Sequence, residues 1–253
     1  MKIISIANQK GGVSKTTTTQ AIATLFNIQG KKTLAIDLDP QGNLSFAMKA
    51  NLEGTPTIYN VIKGEVRAID TLQHTESGDI LPSNILLSGA DTEFTSIGRE
   101  YLLKEAISEI SKQYQYVIID CPPALSILTI NAFVASDFIV IPSIADVFSL
   151  QGMAQLNNTI QTVKKYSNPN LKIAGILLTR FTQRTKLSSH IQKLLDTTTK
   201  SMDTILFNTA IRNSVSIQES QYQRENMVSY DQKSNATADY INFIEELEDI
   251  INA

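Results

Sequence analysis

Polar residues are nearly absent from three stretches of this chain: Tyr116-Val117-Ile118-Ile119-Asp120, Phe138-Ile139-Val140-Ile141-Pro142, and Lys172 to Thr179, which contains Ile173-Ala174-Gly175-Ile176-Leu177-Leu178. Hydrophobicity that is continuous, not alternating, marks strands buried on both faces, as in a parallel sheet between helical layers. Met1-Lys2-Ile3-Ile4-Ser5-Ile6-Ala7 and Lys32-Thr33-Leu34-Ala35-Ile36-Asp37 read as two more strands of this kind. Between strands the spacing turns helical. Thr16 to Gln29 carries Ala21, Ile22, Leu25, Phe26 and Ile28 with Gly30 as its stop, and Arg99 to Gln113 carries Leu102, Leu103, Ala106, Ile107 and Ile110. Further helices are predicted over Leu150 to Tyr166, Leu187 to Thr197 and Ala236 to Ile251. The stretch from Leu44 to Gly98 is less regular, with short helices near 58–63 and 84–88 and weak strands either side of Ser77-Gly78-Asp79. The alternation predicts an α/β fold: one doubly wound, mostly parallel sheet flanked by helices, a single domain over 1–253 with ligand at the carboxyl ends of the strands.

Composition narrows the chemistry. Cys121 is the one cysteine, which excludes a disulfide framework or a metal site built on several cysteines. No apolar run approaches the roughly 20 residues that span a bilayer, and no signal peptide is read, so a soluble cytoplasmic protein is expected. The net charge of −3 hides an asymmetry. From Ile160 to Arg224 ten basic residues face only Asp196, Asp203 and Glu219, whereas from Glu225 onward seven acidic residues face Lys233 alone. A positive stretch in an acidic chain is a candidate anion-contact surface.

The strand at 1–7 and the helix at 16–29 are joined through Lys10-Gly11-Gly12-Val13-Ser14-Lys15-Thr16-Thr17. Strand, glycine loop and helix N-terminus aim backbone N–H groups at a phosphate, so nucleoside triphosphate binding is expected. The pattern G-x-x-x-x-G-K-[ST] would place glycines where Gln9 and Ser14 stand, while Lys15 and Thr16 fit it. A serine at a position needing positive φ costs about 1–2 kcal/mol. Phosphate chemistry calls for Mg²⁺ with oxygen ligands. Thr16 offers a hydroxyl, and Asp120, ending an apolar strand before Cys121-Pro122-Pro123, offers a carboxylate that acts through water. Cys121 reads as a small packing residue. In Asp37-Leu38-Asp39-Pro40-Gln41-Gly42-Asn43 the alternation of faces lets only one carboxylate look directly at the nucleotide.

The lysine-bracketed loop, Asp37–Asn43 and Asp120–Pro123, in this order, resemble the deviant Walker A ATPases of the ParA/MinD type. Leu177 to Thr185, and Ile211-Arg212-Asn213 through Glu219 with Tyr230, extend the resemblance over effectively the whole chain. It implies ATP and Mg²⁺ as cofactors, nucleotide bound by Lys10 through Thr17, and a catalytic set of Lys10, Lys15, Asp39 and Asp120. Lys10 would reach the phosphates held by the other subunit of a homodimer, Asp39 would orient the attacking water or sense the γ-phosphate, and Asp37 would support it or touch Mg²⁺ through water. Intrinsic turnover would be slow. Cys121 alone does not suit the reductases with an interfacial iron–sulfur cluster, and the acidic polar side of Tyr240 to Ile251 does not suit a membrane-binding helix, so no membrane partner is expected. The short partition ATPases remain, without an N-terminal helix-turn-helix. For these the resemblance implies ATP-dependent, nonspecific binding to double-stranded DNA, release on hydrolysis stimulated by a ParB-type centromere-binding protein, and a nucleoid-associated location. Arg184 and Arg212 lead the DNA-contact candidates, followed by Arg180, Lys186 and Arg224; after Arg212 the chain reads Ser214-Val215-Ser216, where relatives often have a second basic residue. The alternative is a cargo-positioning or regulatory relative acting on a protein partner.

Overall fold

The computed structural model describes residues 1–110, 112–182, 195 and 197–253, with no side-chain detail over 147–151. Seven strands form one sheet in the order β3-β4-β2-β5-β1-β6-β7. They span Lys2–Ile6 (β1), Thr33–Asp37 (β2), Gln73–Thr75 (β3), Gly78–Leu81 (β4), Tyr116–Asp120 (β5), Phe138–Ser143 (β6) and Lys172–Leu178 (β7). Every pairing is parallel except the β3–β4 hairpin at one edge. Every residue of β2 and β5 is buried, which is what their unbroken apolar runs demand.

Alternate residues of these strands feed two opposite cores. One face sends Leu34, Ile36, Val117, Ile119, Ile139 and Ile141 against the helix Ile127–Ala135 and the helix Val147–Tyr166. The other sends Ile4, Ile6, Ala35, Ile118 and Val140 against α1 (Lys15–Ile28) and the carboxyl-terminal helix Asn235–Asn252, through Ile22, Phe26, Tyr240, Phe243 and Leu247. That last helix buries its apolar stripe on the body of the molecule. Its carboxylates are used locally: Glu248 pairs with Lys31, and Glu246 accepts the Asn208 and Thr209 amides. Among the described residues no helix is long and apolar enough to cross a membrane.

Three helices stand out among the elements that differ from expectation. The helix predicted over 99–113 is a short 3-10 turn, Arg99–Tyr101, followed by Leu102–Ser108. It stops because the Ser108 hydroxyl takes the Glu105 carbonyl and the chain tightens into i→i+3 bonds at Ile110 and Gln113. The helix Ile127–Ala135 went unread: mostly apolar and almost wholly buried, with its polar Thr129 and Asn131 buried too, it has no exposed polar face to give a period. The helix Val215–Gln223 escaped for the opposite reason, being polar nearly all round with Ser220 its one buried residue. The helix expected over Leu187 to Thr197 falls mainly outside the described residues, as do Arg184 and Lys186.

Candidate nucleotide site

Register brings the site together. Ile6 lies opposite Asp120, and Asp120 opposite Asp37, so the loop after β1 and both strand-end carboxylates share one end of the sheet. The loop is pinned at each side. Asn8 donates to the Pro142 carbonyl (2.7 Å) and accepts the Lys10 amide (3.0 Å), while Thr179 at the end of β7 donates to the Val13 carbonyl (3.1 Å). Ser14 sits at φ 66°, ψ 29°, the left-handed conformation anticipated for it, and its carbonyl accepts the first helical bond of α1 from Thr18 (2.9 Å).

The two lysines part company. Lys15 is buried, lines the cleft and donates to the Lys10 carbonyl (3.2 Å). Burial lowers its pKa, opposed by Asp120 and then by Cys121 and Asp39. Lys10 does not line the cleft; its ammonium rests on the Asp146 carboxylate.

Thr16 donates to Asp120 (2.7 Å), and Thr19 donates to the other Asp120 oxygen (3.3 Å). Burial, with the nearby Asp37 charge, holds the Asp120 carboxyl well above the usual carboxylate range, opposed by the Thr16 hydrogen bond and the Lys15 ammonium. The donor set suits Mg²⁺: a hydroxyl and a carboxylate in contact beside a phosphate loop. Among the described residues no group of three or more His, Cys, Asp or Glu stands close enough together to hold a metal ion.

Of the second acidic pair, Asp39 lines the cleft and Asp37 does not. Asp37 is fully buried and accepts the Ser45 amide (2.8 Å), the Ser45 hydroxyl (2.7 Å) and the Asp39 amide (3.1 Å). It therefore anchors α2 (Asn43–Ala47) and aims the Asp39 loop. Burial pushes its carboxyl up to about 6. Ser83 completes the brace, its hydroxyl donating to the Asp39 carbonyl (2.6 Å) and its amide donating to the Ser45 hydroxyl oxygen (2.8 Å). Cys121 is buried and its thiol is pushed up by burial, which makes it a packing residue and not a nucleophile.

The cleft has a volume of about 690 Å³ and runs from the loop to a far wall made by α2 and the Val215–Gln223 helix. That wall, with Phe46, Ile217, Gln218, Gln221 and Tyr222, was not read from the sequence residue by residue. The signal for it was the family resemblance over Ile211 through Glu219, which takes in Ile217 and Gln218. Gln221 closes the far side by donating to the Thr17 hydroxyl (2.6 Å).

The described basic candidates all have intramolecular partners. Arg212 makes a bidentate pair with Asp239 (2.7 and 2.8 Å) while its guanidinium stays half exposed. Arg180, exposed and at φ 51°, donates to the Gly12 carbonyl at 3.4 Å. Arg224 donates to the Phe46 carbonyl (2.9 Å) and lies 4.3 Å from the centre of that ring.

Comparison with known proteins agrees with this geometry. Residues 1–173 match the family model described as AAA domain. The chain is 36% identical to the sporulation initiation inhibitor protein Soj of Bacillus subtilis, over 97% of this chain and 98% of that one. It is 39% identical to the chromosome partitioning protein ParA of Caulobacter vibrioides, over 76% of this chain and 74% of that one. Among solved structures, the cobyrinic acid a,c-diamide synthase of Mycobacterium smegmatis, with an ATP analogue and magnesium bound, superposes with a TM-score of 0.81 at 32% identity, covering 97% of this chain and 93% of that one. Likeness over this much of the chain, in keeping with a phosphate loop whose two lysines serve different places, makes the chain a member of the AAA-domain family and, within it, of the ParA/MinD-type ATPases.

Proposed function

We propose that this chain is a partition ATPase, cytoplasmic and nucleoid-associated, whose ATP-bound homodimer holds double-stranded DNA without sequence preference. A ParB-type centromere-binding partner then releases it by stimulating hydrolysis. The observation that carries the reading is the division of labour between the lysines. Lys15 faces its own cleft, whereas Lys10 is held on Asp146 outside it, available to a second subunit.

In this reading the amides of 11–15 and Lys15 bind the phosphates, and Thr16 with Asp120 holds Mg²⁺. The metal neutralises phosphate charge when bound. Asp39, fixed through Ser83 and Asp37, orients the attacking water. Closure of two subunits carries each Lys10 ammonium to the opposite phosphates. With no further basic group in the described cleft beyond Lys15, Arg180 and Arg212, turnover without the partner is slow.

Dimerisation is the test. With a non-hydrolysable ATP analogue and Mg²⁺, light scattering should report a dimer for the wild type and a monomer for Lys10→Ala, which still binds nucleotide. A wild type that stays monomeric overturns the reading.

One observation favours the second reading, a positioning or regulatory ATPase acting on a protein partner: Arg212, Arg180 and Arg224 all have partners within the chain. Absence of ATP-dependent DNA retention even at low salt would select it.

A further inference from the structure

We propose that the 3-10 turn Ile85–Gly89 and the acidic helical turn Ala90–Glu93 behind it form a docking surface for a basic, apolar-anchored segment of a protein partner, and that Ser83 relays the docking to Asp39. The proposal rests on the reading of an ATPase whose hydrolysis a partner stimulates, and it assigns where that partner lands.

Ile85 is 61% and Leu86 51% exposed, side by side on a turn that Leu87 roots in the core. Single exposed aliphatic residues are ordinary on a surface. A pair held out on a fixed turn is an anchor point. The turn is fixed at its start: the Asn84 carboxamide oxygen accepts the Leu86 amide (3.1 Å), and the Pro82 carbonyl accepts the Ile58 amide (2.8 Å).

Charge says what covers this surface. Between Pro82 and Gly98 the chain carries Asp91 and Glu93 and no lysine or arginine. Both carboxylates are on exposed residues and accept from neutral donors, Asp91 from the Ile127 amide (2.8 Å) and Glu93 from the Tyr59 hydroxyl (2.7 Å). The flanking cations in the sequence are engaged elsewhere, Lys63 on Glu65 and Arg99 on the Phe94 carbonyl. Glu93 folds back over the turn, one carboxylate oxygen lying 2.6 Å from where a Cβ on Gly89 would stand. Aliphatic side chains with carboxylates beside them complement apolar anchors flanked by lysine or arginine, and they repel nucleic acid and anionic lipid.

The surface has a route to the chemistry. Only Asn84 separates the turn from Ser83, a buried residue whose hydroxyl holds the Asp39 carbonyl (2.6 Å) and whose amide holds the Ser45 hydroxyl (2.8 Å). Ser83 does not line the cleft, so it is a positioning residue, acting on Asp39 and not on the nucleotide.

The experiment uses the full chain with Mg²⁺–ATP and a labelled synthetic helical peptide, leucine at helical spacing and lysine elsewhere, beside an analogue with glutamate for lysine. Fluorescence anisotropy should show the lysine peptide binding about tenfold more tightly than the analogue, and the lysine peptide should accelerate phosphate release. Ile85→Ser with Leu86→Ser should weaken it about tenfold and leave unstimulated phosphate release unchanged. Asp91→Asn with Glu93→Gln, which keeps both acceptors, should weaken it about fivefold and flatten its salt dependence. Ser83→Ala should bind the peptide as wild type does and lose the acceleration, a separation that a merely structural residue would not give. Equal affinity for the two peptides, or full binding by the Ile85–Leu86 variant, overturns the surface. A bound peptide that leaves phosphate release unaltered, or that accelerates Ser83→Ala as it does wild type, overturns the relay. A wild type that releases no phosphate from ATP fails the ATPase reading itself, while the anisotropy still decides the surface.

Discussion

At Ser14 a single side chain in the left-handed region sets the entry angle of α1 and the curvature of the phosphate loop. Ser14→Gly removes the Cβ clash, worth about 1–2 kcal/mol, against a backbone entropy cost of roughly 0.5–1 kcal/mol. Urea denaturation should therefore show a gain of about 0.5–1 kcal/mol in the variant; a loss would mean that the hydroxyl matters more than the backbone. Asp37 gives a pH signature. Its carboxyl titrates at about 6 in the folded chain against about 3.9 in the unfolded one. The native state thus holds the proton through that window, so the contribution is complete below pH 4 and lost as the pH rises through 6. Two units amount to about 3 kcal/mol. In a metal chelator, wild type should gain stability relative to Asp37→Asn on going from pH 7 to pH 4.5. A difference that stays flat across that interval would show that the buried carboxylate keeps an ordinary pKa.

Among the elements, the helix Ile127–Ala135 is tied to its neighbours by Asn131, one of its two buried polar residues. Buried Asn131 accepts the Leu103 amide (3.0 Å) and donates to the Arg99 and Ile127 carbonyls (2.9 Å each). It thereby ties this helix to the segment 99–108. Asn131→Ala strands the Leu103 and Arg99 groups in the interior and should cost about 2–4 kcal/mol, read as a lower urea midpoint with nucleotide affinity retained. The same helix illustrates what periodicity misses. Ile127, Leu128, Phe133 and Val134 are buried on different sides, so no stripe distinguishes helix from strand. In Asn235–Asn252, by contrast, one face meets the body of the molecule and the 3.6 period is plain; its ends, like those of α1, fall within a residue or so of those read from the sequence.

For the molecule as a whole, the proposed activity joins two sites through a dimer. DNA held by phosphate contacts loses affinity linearly on a logarithmic salt scale, by about 0.9 per contact. Replacing one contacting arginine per subunit should flatten the slope of the ATP-bound dimer by about 1.8. Arg180→Ala and Arg212→Ala are the variants to compare by salt titration of ATP-dependent retention. Arg212 already shares its charge with Asp239, so Asp239→Asn should strengthen retention if that guanidinium meets phosphate. No change in slope for either arginine variant would place the DNA surface elsewhere or remove it.

What the order of residues determined alone is local. The loop Lys10 to Thr17 and the strand-end carboxylates Asp37 and Asp120 stand out because a phosphate loop and a strand-end carboxylate are short-range patterns, whereas the choice of Asp39 over Asp37 came from the family resemblance. The central strands were legible because burial on both faces leaves an unbroken apolar run. What tertiary structure decided are meetings across the chain. Asp37 turned out to face Ser45 rather than the cleft, Arg212 found Asp239, and Gln221, Phe46 and Arg224 came together from segments far apart in sequence. No local spacing encodes such encounters. They depend on which end of which strand faces which helix, and the packing of the sheet settles that only once the whole chain has closed on its two cores.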